Sequence, residues 1–180
     1  DRELKLYLGI IFTATLLIAL NINKDRYHNI GLALRDAFFQ VSSIITTTGY
    51  ATADFDKWPT FSKTILFLLM FVGGCAGSTG GGITSIRILV LLKLIKREIS
   101  KIFHPRAVIP VKIGDKVVPN DVVASITSFF ALYMTIFVVG TLAISLEGID
   151  FESSMGAVAA TLGNIGPGLG LVGPTRTYSQ

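Results

Sequence analysis

The sequence is short of charge. Only 16% of its 180 residues are Asp, Glu, Lys or Arg, while 51% are hydrophobic. An ordinary soluble domain carries about 25% charged residues, so the composition points to a membrane protein. There is one cysteine, Cys75, which excludes an intrachain disulfide and a Cys-based zinc site. The two histidines, His28 and His104, stand far apart with no Cys or His cluster beside either, and both read as loop residues. The net charge of +4 is modest, and the basic residues gather between hydrophobic stretches, which argues against a nucleic-acid partner. No Ser–His–Asp or metal-ligand constellation stands in the apolar stretches, so an enzyme is the least favoured class. A phosphate-cradling loop needs Gly-Lys-Ser/Thr, whereas Gly82 is followed by Ile83-Thr84.

What the sequence has is long uncharged runs. Eighteen uncharged residues separate Lys5 from Lys24, and 25 separate Asp121 from Glu147. Both runs reach the length of a transmembrane helix. A third run of 23 lies between Lys63 and Arg87, with six glycines in the ten positions Gly73-Gly74-Cys75-Ala76-Gly77-Ser78-Thr79-Gly80-Gly81-Gly82. Each glycine costs a helix about 1 kcal/mol relative to Ala. An unbroken helix over 61–92 would run about 48 Å at 1.5 Å per residue, against a hydrocarbon core of about 30 Å. The stretch therefore reads as two half-helices, 61–72 and 83–96, joined by non-helical backbone, which membranes tolerate only inside protein or beside a watery cavity. Close packing between helices is the rival reading of so many small residues.

An internal repeat joins these runs. Laying Asp36 over Asp150 without gaps, an offset of 114 residues, puts Thr47 on Thr161 and Gly49 on Gly163. A hydrophobic span precedes each unit, and Pro59-Thr60 and Pro174-Thr175 follow. In this frame Asp36 and Asp150 cap two short re-entrant helices, which is sufficient explanation of both; attraction of cations to an outer mouth is the alternative reading of their carboxylates. Between the units Lys93, Lys96, Arg97, Lys101, Arg106, Lys112 and Lys116 outnumber Glu98 and Asp115. By the positive-inside rule the 93–120 loop is cytoplasmic, and within it 111–118 reads as a hairpin around Gly114-Asp115. Both Thr-x-Gly turns then lie on one outward face. Trp58 and Tyr50 suit the outer interface. The chain opens at Asp1 and stops at Gln180 after a glycine-rich stretch, and reads as an excerpt without a signal peptide.

The chemistry expected of the turns is ion coordination. A narrow cation filter needs backbone carbonyls turned inward to replace water, and glycine reaches the φ > 0 conformations that such turning demands. Thr46-Thr47-Thr48-Gly49-Tyr50 fits, and Thr161-Leu162-Gly163-Asn164 is its second copy. The glycine run would be a gate. Arg87, five residues beyond it, reads first as a residue of the cytoplasmic vestibule or a partner to a carbonyl, with a gate-adjacent cation as the alternative. A broken-helix secondary transporter for Na⁺ or another small cation is the alternative.

Thr-Thr-Thr-Gly-Tyr, the Gly-Gly-Cys-Ala-Gly-Ser-Thr-Gly-Gly-Gly-Ile run and Leu-Gly-Asn-Ile-Gly-Pro-Gly together resemble the third and fourth pore repeats of the TrkH-type potassium-uptake subunits in the Trk/Ktr/HKT superfamily. The resemblance implies an all-α integral membrane protein of helix–pore loop–helix repeats around a pseudo-fourfold pore, with two repeats present. The third repeat would be residues 1–98: outer helix about 4–22, pore helix about 34–45, filter 46–50 and broken inner helix about 60–97. Residues 99–120 would be a cytoplasmic loop and 121–180 the fourth repeat, without its inner helix. It further implies that Gly49 and Gly163 are filter glycines and that 73–82 gates the path. It implies K⁺ as the transported ion, with symport, and no covalently bound cofactor. The partners implied are a homodimer in the bacterial inner membrane and a TrkA/KtrA-like cytosolic ring, through which nucleotide acts.

Overall fold

The computed structural model describes residues 2–24, 28–103, 109–113 and 116–175. His104, Arg106, Gly114 and Asp115, to which the sequence assigns loop and hairpin positions, lie outside the described residues. Among those described, the chain forms α1 (Arg2–Ile22), α2 (Ile30–Ile45), α3 (Thr60–Leu69), α4 (Ser85–Phe103), α5 (Asn120–Ser145) and α6 (Phe151–Leu162). Strands β1 (Lys112–Ile113) and β2 (Lys116–Val117) pair antiparallel between α4 and α5, Lys112 opposite Val117.

Helices α1 and α5 are long and apolar enough to cross a membrane by length and composition, with mean hydropathies of 1.8 and 2.2. At 1.5 Å per residue α1 is about 32 Å long, close to the hydrocarbon thickness of about 30 Å. In their most apolar windows only 28% and 11% of the residues are buried within the chain. They are therefore not the core helices of a water-soluble domain, which would hide that surface.

The starts of the helices have local causes. The Asn29 side chain accepts from the Gly31 and Leu32 N–H groups at 3.0 and 3.4 Å and so begins α2. Asp150 accepts from the Ser153 N–H at 3.0 Å and begins α6. Pro59 and Pro119 stand just before α3 and α5, where a missing N–H leaves no helical bond unmade. Thus α2 begins four residues before the expected 34, because Asn29 rather than Asp36 caps it. Asp36 sits inside α2, 5% exposed and paired with Arg35 at 2.9 Å, so it neither caps the helix nor faces an open mouth.

One core runs through the first unit and into the second. Ile18 and Ile22 of α1, Val41 and Ile44 of α2, and Leu66 and Met70 at α3 pack with Ala159, Ile165 and Leu169. Trp58 joins this core at 4% exposure, so it is not an interfacial anchor. Burial of its large ring outweighs its preference for an interface. The link between units is completed by Lys63 to Glu152 at 2.6 Å and by the Gly170 N–H, which donates to Asp56 Oδ1 at 2.8 Å. A smaller cluster of Val90, Val111 and Val123 seats the hairpin against α4 and α5.

Candidate functional site

The chain leaves α2 through a tight, strained turn. The Thr46 N–H still donates to Ser42 O, the Thr47 N–H to Ile44 O, and the Thr48 N–H reaches back to Ser43 O at 2.9 Å. Thr47 has φ +57° and Gly49 φ +78°. A β-branched residue in the left-handed region is a genuine outlier, and holding it there costs on the order of 1–3 kcal/mol. Two side chains hold the turn, and neither is singled out by the sequence pattern. The Ser43 hydroxyl donates to Tyr50 O at 2.5 Å. Gln40 is fully buried, and its carboxamide oxygen accepts from the Thr52 and Ala53 N–H groups at 2.9 and 3.2 Å. A polar residue on the buried face of an apolar helix was the available signal, since buried polar groups must find partners.

The end of α6 repeats this backbone with different side chains. The Gly163 N–H donates to Ala159 O, the Asn164 N–H to Thr161 O, and the Ile165 N–H back to Ala160 O at 2.9 Å. Asn164 has φ +53° and Gly166 φ +108°. Every step matches the first turn at an offset of 117 residues: Thr46 on Gly163, Thr47 on Asn164, Gly49 on Gly166. The gap-free offset of 114 is therefore three residues out. It rests on Asp36 as a helix start, which that residue is not. Thr161 and Leu162 belong to the last turn of α6, and the Thr161 hydroxyl donates to Ala157 O at 2.7 Å. Gly163 has an ordinary helical φ of −76°. Its need for glycine is steric: a Cβ there would stand 2.8 Å from Met70 O.

The glycine run is a built segment. Helix α3 stops at Leu69 and α4 begins at Ser85, a wider break than the 73–82 expected. Its flanks pair: the Ile83 N–H donates to Phe71 O, the Gly73 N–H to Ile83 O at 2.8 Å and the Ser85 N–H to Gly74 O. The buried Ser85 hydroxyl donates to Gly73 O at 3.0 Å. These bonds close the neck of a loop over 75–82, whose tip at 76–79 is exposed.

These three segments meet. A Cβ on Gly49 would fall on the Ile165 carbonyl oxygen and lie 3.2 Å from Pro167 Cδ. A Cβ on Gly81 would fall on the Gly163 carbonyl oxygen, and one on Gly80 would lie 3.2 Å from Thr47 Oγ1. Both turns thus abut, and the break lies against both. Residues 46–50 and 163–167 include no charged side chain, so what they offer is carbonyls, hydroxyls and one carboxamide. The carboxyl ends of α2 and α6 add partial negative charge where they converge. Neutral oxygens of this kind suit a dehydrated monovalent cation, whereas tight calcium sites recruit carboxylates. Among the described residues no group of three or more His, Cys, Asp or Glu gathers as a metal site.

The Arg87 guanidinium lies 4.0 Å from the Phe129 ring centre on α5, a cation–π contact, lining a cleft with Asp121 and Ser125. Its backbone N–H donates to Thr84 O, at the end of the break, at 2.9 Å.

The TrkH family model, described as a cation transport protein, matches residues 5–179. This chain belongs to the TrkH family. The Trk system potassium uptake protein TrkH of Escherichia coli K12 is 39% identical over 181 residues, which cover 98% of this chain and 37% of that protein. The protein of the same name from Vibrio parahaemolyticus is 47% identical over 140 residues, covering 78% of this chain and 29% of that one. A solved structure, the crystal structure of the potassium transporter TrkH from Vibrio parahaemolyticus, superposes with a TM-score of 0.88 at 42% identity, over 96% of this chain and 37% of that one. The chain thus spans little more than a third of these relatives' length. The fold is that of an all-α membrane transporter, and the family is one of transporters, not enzymes.

Proposed function

We propose that this chain supplies two neighbouring pore units of a potassium-uptake subunit, and that K⁺ sheds water against its two turns. The filter walls are Thr46–Tyr50 and, in the backbone register, Gly163–Pro167, with Gly49 and Gly166 as the equivalent glycines. Gly163 begins that wall at the place of Thr46 and packs against Met70 O, and Asn164 takes the left-handed place that Thr47 takes in the first. The loop 75–82 is the gate, with Gly73, Gly74 and Ile83–Ser85 as its hinged neck. The observation that carries the reading is the meeting of three segments: Gly49 against Ile165, Gly81 against Gly163, and Gly80 beside Thr47.

The relatives' names supply the ion. Lys93, Lys96, Arg97 and Lys101 on α4 support a cytoplasmic end for that helix by the positive-inside rule, in a bacterial inner membrane on the same reading. Completion by further units, homodimerisation and regulation by a cytosolic nucleotide-binding ring belong to the same reading. The adjacency of the two turns favours a pore over the secondary-transporter alternative, since inverted repeats would send equivalent turns to opposite faces.

The test is ion flux through the complete subunit in cells lacking their own potassium uptake. Gly49→Asp abolishes uptake while the protein still inserts, and deletion of Gly77–Gly81 raises K⁺ flux. Normal uptake by the first variant sinks the filter assignment. Unchanged or lower flux in a well-inserted deletion variant makes the loop a packing element.

A further inference from the structure

A charged side chain from outside the loop holds its tip. Glu3, in the first turn of α1, accepts a hydrogen bond from the Ala76 N–H at 2.7 Å, across 73 positions of sequence. Ala76 is the second residue of a turn closed by the Ser78 N–H on Cys75 O at 3.0 Å. Gly77 follows at φ +85°, the glycine place of a type II turn. Beyond this, the Gly80 N–H donates to the loop's own Ser78 hydroxyl at 3.1 Å. Gly77 meets nothing within 4 Å of where a Cβ would stand, so packing does little to fix the tip. A carboxylate acceptor makes a bond about twice as strong as a neutral one. Helix α1 also packs on α3 and α4, the half-helices either side of the break, and so forms a fixed frame for it.

We propose that Glu3 is a positioning residue for the break loop: its carboxylate ties the loop tip to α1, so that the loop's place under the two turns follows the first turn of α1. The inference rests on the reading of the loop as a gate. Its rival is simpler. An acidic residue in a first helical turn also stabilises the helix through the macrodipole, and its charge alone alters the reactivity of a nearby thiol.

The experiment uses the complete subunit with every cysteine but Cys75 replaced. It reads K⁺ flux together with the rate at which a small cationic methanethiosulfonate modifies Cys75. Glu3→Ala removes the acceptor. Ala76→Pro removes the donor from the other side, leaves all charges in place, and suits the second position of a type II turn. Glu3→Gln removes the charge and keeps an acceptor oxygen. Glu3→Ala and Ala76→Pro are both expected to speed Cys75 modification about tenfold, the order allowed by losing one charge-assisted hydrogen bond, and to raise flux. Glu3→Gln is expected to stay within about threefold of the parent. In the Gly77–Gly81 deletion background Glu3→Ala adds nothing to flux. Equal effects of Glu3→Gln and Glu3→Ala, with Ala76→Pro silent, overturn the proposal in favour of charge alone. If the deletion raises flux and neither Glu3→Ala nor Ala76→Pro changes either readout, the tie is overturned and the gate stands. If both variants speed modification while neither they nor the deletion alter flux, the tie is supported and the gate reading fails.

Discussion

The turns after α2 and α6 follow the same backbone path through three successive hydrogen bonds, with almost no side chain in common. The first is held by polar side chains from its own helix, Ser43 on Tyr50 O and Gln40 on Thr52–Ala53. The second is held by close contact of small residues: Gly163 against Met70 O, and Gly156 against Leu169. The first also carries a Thr in the left-handed region, where the second has Asn, a residue that tolerates it. The comparison teaches that the conserved quantity within this chain is where carbonyls end up, and that two different chemistries hold them there. It also predicts that equivalent substitutions will have unequal effects.

The largest difference is expected at the paired glycines. A methyl group on Gly49 meets both a left-handed φ and the Ile165 carbonyl, so Gly49→Ala removes uptake altogether. On Gly166 it meets φ +108° and nothing within 4 Å, so the penalty is backbone strain alone, about 1–3 kcal/mol. Gly166→Ala should accumulate normally, keep part of its K⁺ flux and admit more Na⁺. Uptake and K⁺/Na⁺ competition measured on both variants decide the matter. Equal loss would break the asymmetry, and an untouched K⁺/Na⁺ ratio in Gly166→Ala would remove that glycine from the filter.

Next comes Gly163, on which the two registers disagree. With Met70 O 2.8 Å from a Cβ, Gly163→Ala forces overpacking worth about 1–3 kcal/mol. The expected result is a lower melting temperature in detergent with unchanged selectivity in the protein that survives. Stable protein with collapsed selectivity would restore the offset of 114.

That disagreement shows how far the sequence is legible. Runs of apolar residues and a cluster of glycines announce spans and a break, because each depends on composition over many positions. The motifs around Gly49 and Gly166 announce turns for the same reason. The register does not follow, because α2 is 16 residues long and α6 only 12, so the turns at their ends cannot be aligned from the residues that start the helices. Glu3 is invisible as a pattern, and Ser43 and Gln40 show only as polar residues on a buried face, because their partners lie on backbone whose position the sequence does not state. Trp58 misleads by its usual preference, since the core offers it a better place here than an interface.

A smaller effect tests the strain at Thr47. Thr47→Asn gives the first turn the residue type of the second and should stabilise the protein by up to about 1 kcal/mol, seen as a rise in melting temperature. Asn164→Thr should cost a similar amount. A fall in stability for Thr47→Asn would mean that the Thr47 hydroxyl, close to Gly80, matters more than the backbone.

The smallest expected effect separates the two caps. Replacing Asn29 or Asp150 by Ala should cost about 1 kcal/mol each, but only one of these caps depends on pH. The Ser153 side chain, and then its backbone N–H, hold the Asp150 carboxyl below its ordinary value by hydrogen bonding. A carboxyl lowered on folding gives stability that is complete above its unfolded pKa, about 3.9 for Asp. That stability is lost as the pH falls through the lower native value. Melting temperatures across about pH 2–5 should therefore show a decline that Asp150→Asn flattens and Asn29→Ala leaves in place. Asp150→Asn keeps an oxygen for the Ser153 N–H, so at neutral pH it should cost less than Asp150→Ala. If the acid decline is the same with Asp150→Asn, the second unit is held at its start by packing alone, as it is at its end.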